Sequence, residues 1–402
     1  MTNGDFLNFI SLTIAAYSLL YSKDGQIFIY KFPYLYPPVA IAMTLVALLL
    51  INFDLLYANG IYVEAFIYNS PKAPPAPTWA FFLVIITTCA SIYICFFTKK
   101  ISKYRKNDLY IFYERLLFAN PQKLIDYIRT YSLDEINREI TFYNRAFHNN
   151  ENEDFKLAFE EPQEAAPKPP QKRNIVLITL RKEFIDQSIK YGDVTFFLSF
   201  IHNLECIDLP EAKEAILYYY KSLLESKNKV LYDTIRKTDN ITYDKISYHT
   251  SKFDFTKYTF RNINFVCNFE IWRVFGECGI MDAKYNDLFS SECIDFRQEE
   301  YANSPAYICL RFYDILIKEL AQKNCNKPIY EYYLYLICES AFSNIDNSDS
   351  VAVRENSYAQ LLKDDTLRTL RSIKEYLRLH PYGGSTFYKK IETLEEEIEP
   401  LK

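Results

Sequence analysis

Three runs of apolar residues crowd the first hundred positions, and no later part of the chain repeats them. The run from Trp79 to Thr98 carries no charge, and that from Tyr34 to Phe53 opens on Pro37 and Pro38 and leaves through Asp54 and Asn59. Each is long enough, read as helix, to cross a hydrocarbon core of roughly 30 Å. The run from Phe6 to Tyr21 is shorter and interrupted by Asn8, Ser11 and Ser18, so it reads as a third span or as an interfacial helix. A cleaved leader does not fit, because MTNGD lacks a basic flank.

The pattern therefore predicts two or three transmembrane helices. Lys99, Lys100, Lys103, Arg105 and Lys106 follow the last run, whereas the loop before it holds Lys72 against Asp54 and Glu64. The positive-inside rule places everything after Lys99 in the cytoplasm, under an inner or plasma membrane, with Glu64 and Lys72 outside. Small residues share one helical face in each run: Ser11, Ala15 and Ser18; Ala40, Thr44 and Ala47; Ala80, Thr87 and Ser91. Such faces permit close helix packing. No ionisable residue interrupts a run, which argues against an ion or proton pathway.

Beyond residue 98 the period changes to amphipathic helix. Asp108 can cap IFYERLLF, Asn120-Pro121 is a cap followed by a first-turn proline, and Ser132 to Glu135 spells a capping box. Residues 151–173, ENEDFKLAFEEPQEAAPKPPQKR, hold four prolines and little apolar content at their far end, and read as an extended spacer. From Asn174 helices recur every few turns. Gly192 stops one and Asp193 caps the next; Pro210, Ser304-Pro305, Lys327-Pro328 and Asp364-Asp365 open others. On the helix after Pro305, Ile308, Phe312, Ile315 and Leu320 form one face. The organisation expected is an anchor (1–98), a juxtamembrane helical segment (99–150), the linker (151–173) and a cytoplasmic α-helical domain of hairpins or a short solenoid (174–402). Residues 240–261, β-branched and aromatic, break the pattern as a loop or small β-hairpin.

Composition supports helix. Only eight glycines occur among 402 residues, against 35 tyrosines and 31 phenylalanines, which suits long packed helices rather than turn-rich sheets. Net charge is −5, with no general basic surplus for nucleic acid. The nine cysteines make no C-x-x-C pair and the four histidines are scattered, so buried thiols are expected and no metal centre. No phosphate-binding glycine loop, G-x-S-x-G elbow or H-E-x-x-H motif is present, so no cofactor is expected.

Two stretches stand out. In SKFDFTKYTFRNINF, Lys252, Phe255, Lys257, Tyr258 and Arg261 interleave cations with aromatic rings, the mixture that binds a nucleotide or single strand. The competing reading packs those rings into the core. In NFEIWRVFGECGIMD, Glu270, Arg273 and Glu277 share a helix face, and Gly276 and Gly279 permit close backbone approach. An ion pair or an interdomain contact explains that spacing better than a catalytic site.

The function read from this pattern is a membrane-tethered helical interaction or sensor protein. The alternative is an effector whose oligomerised anchors form or gate a pore; an enzyme or nucleotide-binding module is a third. Expected partners are membrane lipid and either another protein or a second copy.

Overall fold

A computed structural model describes residues 26–60, 76–94, 101–157, 175–191, 194–204, 210–237, 259–260, 263–290, 298–323, 331–343, 357–379 and 384–401. The described residues are all-helical and without strands. The chain divides into two compact units, Met1–Glu135 with Lys168–Ile178, and Ile136–Pro167 with Thr179–Lys402.

In the first unit, α1 (Tyr36–Ile51) starts on its two prolines and stops at Asn52, whose side-chain amide donates to the Leu48 carbonyl at 2.9 Å. Its neighbour α2 is Ala76–Ile92. The two pack through Ala47, Ala80 and Val84, flanked by Leu50, Ile51 and Leu83. Tyr36 adds a polar contact at the seam, its hydroxyl 2.8 Å from Ser91 Oγ and donating to the Thr87 carbonyl at 3.2 Å. Of the small residues predicted to share a face, Ala47 and Ala80 meet in this seam, and Thr87 and Ser91 take the Tyr36 contacts.

The predicted spans do not survive this geometry. Helix α1 has 16 residues and α2 has 17, so at 1.5 Å per residue they reach about 24 and 26 Å, short of a hydrocarbon core of roughly 30 Å. No helix among the described residues is long and apolar enough to cross a membrane. The run from Tyr34 to Phe53 is broken at Asn52, whose side chain competes for a backbone carbonyl, and Phe53 opens a separate short helix, Phe53–Ala58; residues 95–98 of the other run lie outside the described residues. The integral-membrane placement and the topology drawn from the basic cluster fall with the spans. The run from Phe6 to Tyr21 lies outside the described residues.

Helices α3 (Lys106–Ala119) and α4 (Pro121–Tyr127) meet at Asn120, whose Oδ1 accepts from the Lys123 amide at 3.1 Å, as the Asn-Pro signature predicts. The predicted capping box caps nothing. Helix continues through a π-helical turn at Ile128–Ser132 into α5 (Leu133–Leu157). Buried tyrosines of α3 claim its side chains instead: the Tyr110 hydroxyl donates to Glu135 at 2.7 Å, and that of Tyr113 lies 3.1 Å from Ser132 Oγ. Lys106 also pairs with Glu135, at 2.5 Å. The segment read as a spacer from residue 151 begins inside α5.

The second unit holds α6 (Lys182–Lys190), α7 (Val194–Ile201), α8 (Pro210–Glu225), α9 (Lys229–Lys237), α10 (Ile271–Tyr285), α11 (Pro305–Gln322), α12 (Tyr333–Ser343), α13 (Tyr358–Leu379) and α14 (Gly384–Ile398). Helix α10 packs against α8, α11 and α12. Ser304 caps α11 by accepting from the Tyr307 amide at 3.2 Å. The predicted apolar face of α11 is buried, and so are Cys309, Tyr313, Leu316 and Ile317 around it: the helix is buried nearly all round rather than amphipathic. Phe275 and Phe312 stack with centroids 3.6 Å apart, and Phe260 and Tyr220 extend the aromatic column at 5.4 and 6.0 Å.

Helix α13 begins at Tyr358, earlier than Asp364-Asp365 suggests. Ser357 supplies the cap, accepting from the Gln360 amide at 3.2 Å, while Asp365 lies inside the helix and accepts from the Tyr301 hydroxyl at 2.8 Å. From α13 the buried Lys363 ammonium donates to the carbonyls of Glu399 and Leu401 at 2.8 and 2.7 Å, neutralising the C-terminal end of α14. The β-hairpin expected at residues 240–261 lies outside the described residues apart from Thr259 and Phe260.

Candidate functional site

An open groove of about 850 Å3 runs between α8 and α10 in the second unit, with Lys182 of α6 at its edge. Its apolar lining comes from Leu217 and Leu224 on one side and Val274, Cys278 and Met281 on the other. Burial of these helices is one-sided: α8 turns Ala212, Ile216, Tyr219 and Leu223 into the core, and α10 turns Phe275 and Gly279 there. Of the apolar lining, Leu217, Cys278 and Met281 keep surface open to the groove, while Leu224 and Val274 are buried beneath it. Met281 is 57% exposed and Tyr285, at the end of α10, 63%.

Paired charges border this lining. Lys182 meets Glu214 at 2.6 Å, Lys221 lies 3.7 Å from Glu225, and Arg273 reaches Glu270 at 3.3 Å and Glu277 at 3.4 Å. Lys213 of α8 closes on Glu270 at 3.0 Å, tying the two walls together. The sequence brings Glu270, Arg273 and Glu277 onto one face, and the structure places them as one border of the groove, solvated rather than buried. At this exposure each pair contributes little stability. Their effect is to set charge of both signs beside the apolar lining.

Two described non-glycine residues have positive φ: Lys227, which lines this groove, and Glu270, which pairs with the lining residue Arg273. Lys227, at φ +48°, ends α8 in a Schellman motif: the Asn228 amide donates to the Leu223 carbonyl at 2.9 Å and the Lys227 amide to Leu224 at 3.0 Å. Glycine is the usual occupant of that place. Glu270, at φ +55°, precedes α10 and carries the ion pairs just described. Left-handed backbone costs an L residue about 1–2 kcal/mol. Lys227 thereby carries a charge at the groove edge.

Asp282 lines the groove, half-buried, accepting from the Ala306 amide at 3.0 Å and from Asn286 Nδ2 at 3.1 Å. Burial raises its pKa above the ordinary carboxylate value, against the opposing pull of those two donors and of Lys227. Burial, reinforced by Glu225, pushes the Cys278 thiol up to about 11, so at neutral pH it is protonated and a poor nucleophile. No group of three metal-ligating side chains occurs among the described residues. The arrangement offers shape, apolar surface and fixed charge, the ingredients of recognition.

Lys252, Phe255, Lys257, Tyr258 and Arg261, singled out from sequence, lie outside the described residues. Of the five described members of their segment, four are core: Thr259 is buried with its hydroxyl 3.0 Å from that of Tyr220, Phe260 is buried with its carbonyl accepting from Lys323 at 2.8 Å, and Ile263 and Phe265 are buried too, while Asn264 is exposed. Sequence reasoning found the α10 border of the groove but not Leu217, Lys227, Asp282, Met281 or Tyr285. A local signal existed for Lys227, since Ser226-Lys227-Asn228 ends a long helix without a glycine. Comparison with protein-family models, curated proteins and solved structures found no match.

Proposed function

We propose that this chain is a helical protein-interaction module, and that the groove between α8 and α10 takes an amphipathic helix from a partner protein. The observation that carries this reading is the exposure of Met281 and Tyr285 at the end of an apolar lining that fixed ion pairs border on both sides. An apolar seam flanked by charge of both signs suits a helix with one apolar stripe and mixed charges beside it. Methionine suits such a surface because its unbranched, polarisable side chain adapts to the incoming residues. Helix α10, with 15 residues and about 22 Å long, matches three to four turns of a docked helix.

Display selection tests it. A library of helical peptides is panned on the full chain, with Met281→Glu as the counter-target. The reading requires enriched peptides with an apolar stripe that bind wild type at least tenfold more tightly than Met281→Glu. Peptides that bind both equally would place recognition elsewhere.

A further inference from the structure

The two ends of the groove differ in charge. Lys213 and Glu270 meet at 3.0 Å near the starts of α8 and α10, while Lys227 and Asn286, just past their last turns, line the groove together. The two walls therefore run parallel, and both helices bring their C-terminal ends to the Lys227–Asn286 end. Each such end carries roughly half a negative charge. A polar recess of about 350 Å3 continues the groove there, sharing Lys227 and Asn286 with it and adding Glu299, Glu300 and Asn303. Both glutamates are exposed, on the short helix Gln298–Ala302. Among the described residues, Lys227 is the one cation lining this end, against the carboxylates of Asp282, Glu299 and Glu300; Lys284, in the last turn of α10, lines neither cavity. The rest of the groove is balanced, Lys182 pairing with Glu214, Arg273 with Glu277 and Lys221 with Glu225. Negative charge accumulates at one end alone.

We infer that the partner helix docks in one direction, antiparallel to α8 and α10, with its amino-terminal turn in the recess. The inference rests on the reading of the groove as a helix-docking site and adds its polarity. A helix begins with four backbone N–H groups that its own carbonyls leave unused, and its first turn carries about half a positive charge. Glu299, Glu300 and Asn303 offer side-chain oxygens that can accept from such groups, as an N-cap does. A helix entering the other way would set its carbonyl end against those carboxylates and against two helix ends of the same sign. The partner segment that fits therefore carries Lys, Arg or a free amino terminus ahead of its apolar stripe.

Directional cross-linking tests this. The probe is a helical peptide from the display selection whose binding Met281→Glu weakens at least tenfold, made with a chloroacetyl group at one end or the other. Asn303→Cys marks the recess and Lys182→Cys the far end, and mass spectrometry of the digested adduct locates the alkylated position. The N-terminal reagent should label the Asn303→Cys chain at least fivefold faster than the C-terminal one, with the order reversed in the Lys182→Cys chain. Glu299→Gln combined with Glu300→Gln, both at exposed positions, should weaken the unmodified peptide at least threefold at low salt and less at high salt. Equal rates from the two reagents, the opposite order, or binding that the double variant leaves unchanged would overturn the polarity while keeping the groove as the docking site. If no selected peptide depends on Met281, the docking reading falls and the polarity falls with it.

Discussion

Gly276 of α10 lies so close to Tyr333 of α12 that a Cβ at position 276 would stand 2.3 Å from ring atom Cδ1. The ring cannot retreat easily, because it stacks on Tyr313 at 6.1 Å and lies 6.1 Å from Trp272. Gly276→Ala should therefore destabilise the chain by about 1–3 kcal/mol, as overpacking does. In a Tyr333→Ala background the same change should cost little. Chemical denaturation of the four chains measures the coupling, and additive effects would contradict the close approach.

Gly276 and Gly279 were legible in the sequence as places of close approach, and so were the helix starts at Asn120-Pro121, Pro210 and Ser304-Pro305. In each case the cause is local: a missing Cβ, or a cap and a ring-locked φ within a few residues. The short reach of α1 was not legible, because Phe53 continues the apolar run after the helix has stopped at Asn52 and periodicity does not mark the end. The capping box misled because Tyr110 and Tyr113, some twenty residues away, bind its side chains. The groove was half legible. Its Glu270–Arg273–Glu277 border is a local spacing, whereas Leu217 and Met281 face each other across the groove only through tertiary packing.

Lys227 carries left-handed strain that a glycine would not. Lys227→Gly should stabilise the fold by about 0.5–1 kcal/mol, the strain relieved less the added freedom of the unfolded chain. Under the proposed function it should also weaken partner capture, since a cation leaves the groove edge. A lower midpoint in urea would mean that Lys227 stabilises the fold through contacts of its own.

Asp282 gives a pH dependence of defined sign. Its folded pKa is raised, so between the unfolded carboxylate value near 4 and the folded value the native chain holds a proton that the unfolded chain has released. Its contribution to stability is full below the unfolded pKa and is lost as pH rises through the folded one. The stability of wild type minus that of Asp282→Asn should therefore increase as pH falls from 7 to 4. A difference that shrinks over that range would show a carboxylate stabilised in the fold rather than penalised by burial.

Phe260 closes the aromatic column beside Phe312. Phe260→Ala should cost about 3–5 kcal/mol, the usual range for a buried phenylalanine. Thermal melts check this. A wild-type melting temperature would reopen the ligand-binding reading of the segment that holds Lys257 and Arg261.

The proposed docking role of the groove is tested most directly by photo-cross-linking in living cells. Benzoylphenylalanine replaces Met281 in one chain and the exposed Asp364 of α13 in another. A discrete adduct heavier than the chain is predicted from position 281, absent from position 364, and lost when Leu217→Glu, at a partly open groove position, is added to the same chain. Equal adducts from both positions, or an adduct from 281 that Leu217→Glu leaves intact in a folded chain, would contradict the groove as the partner's site.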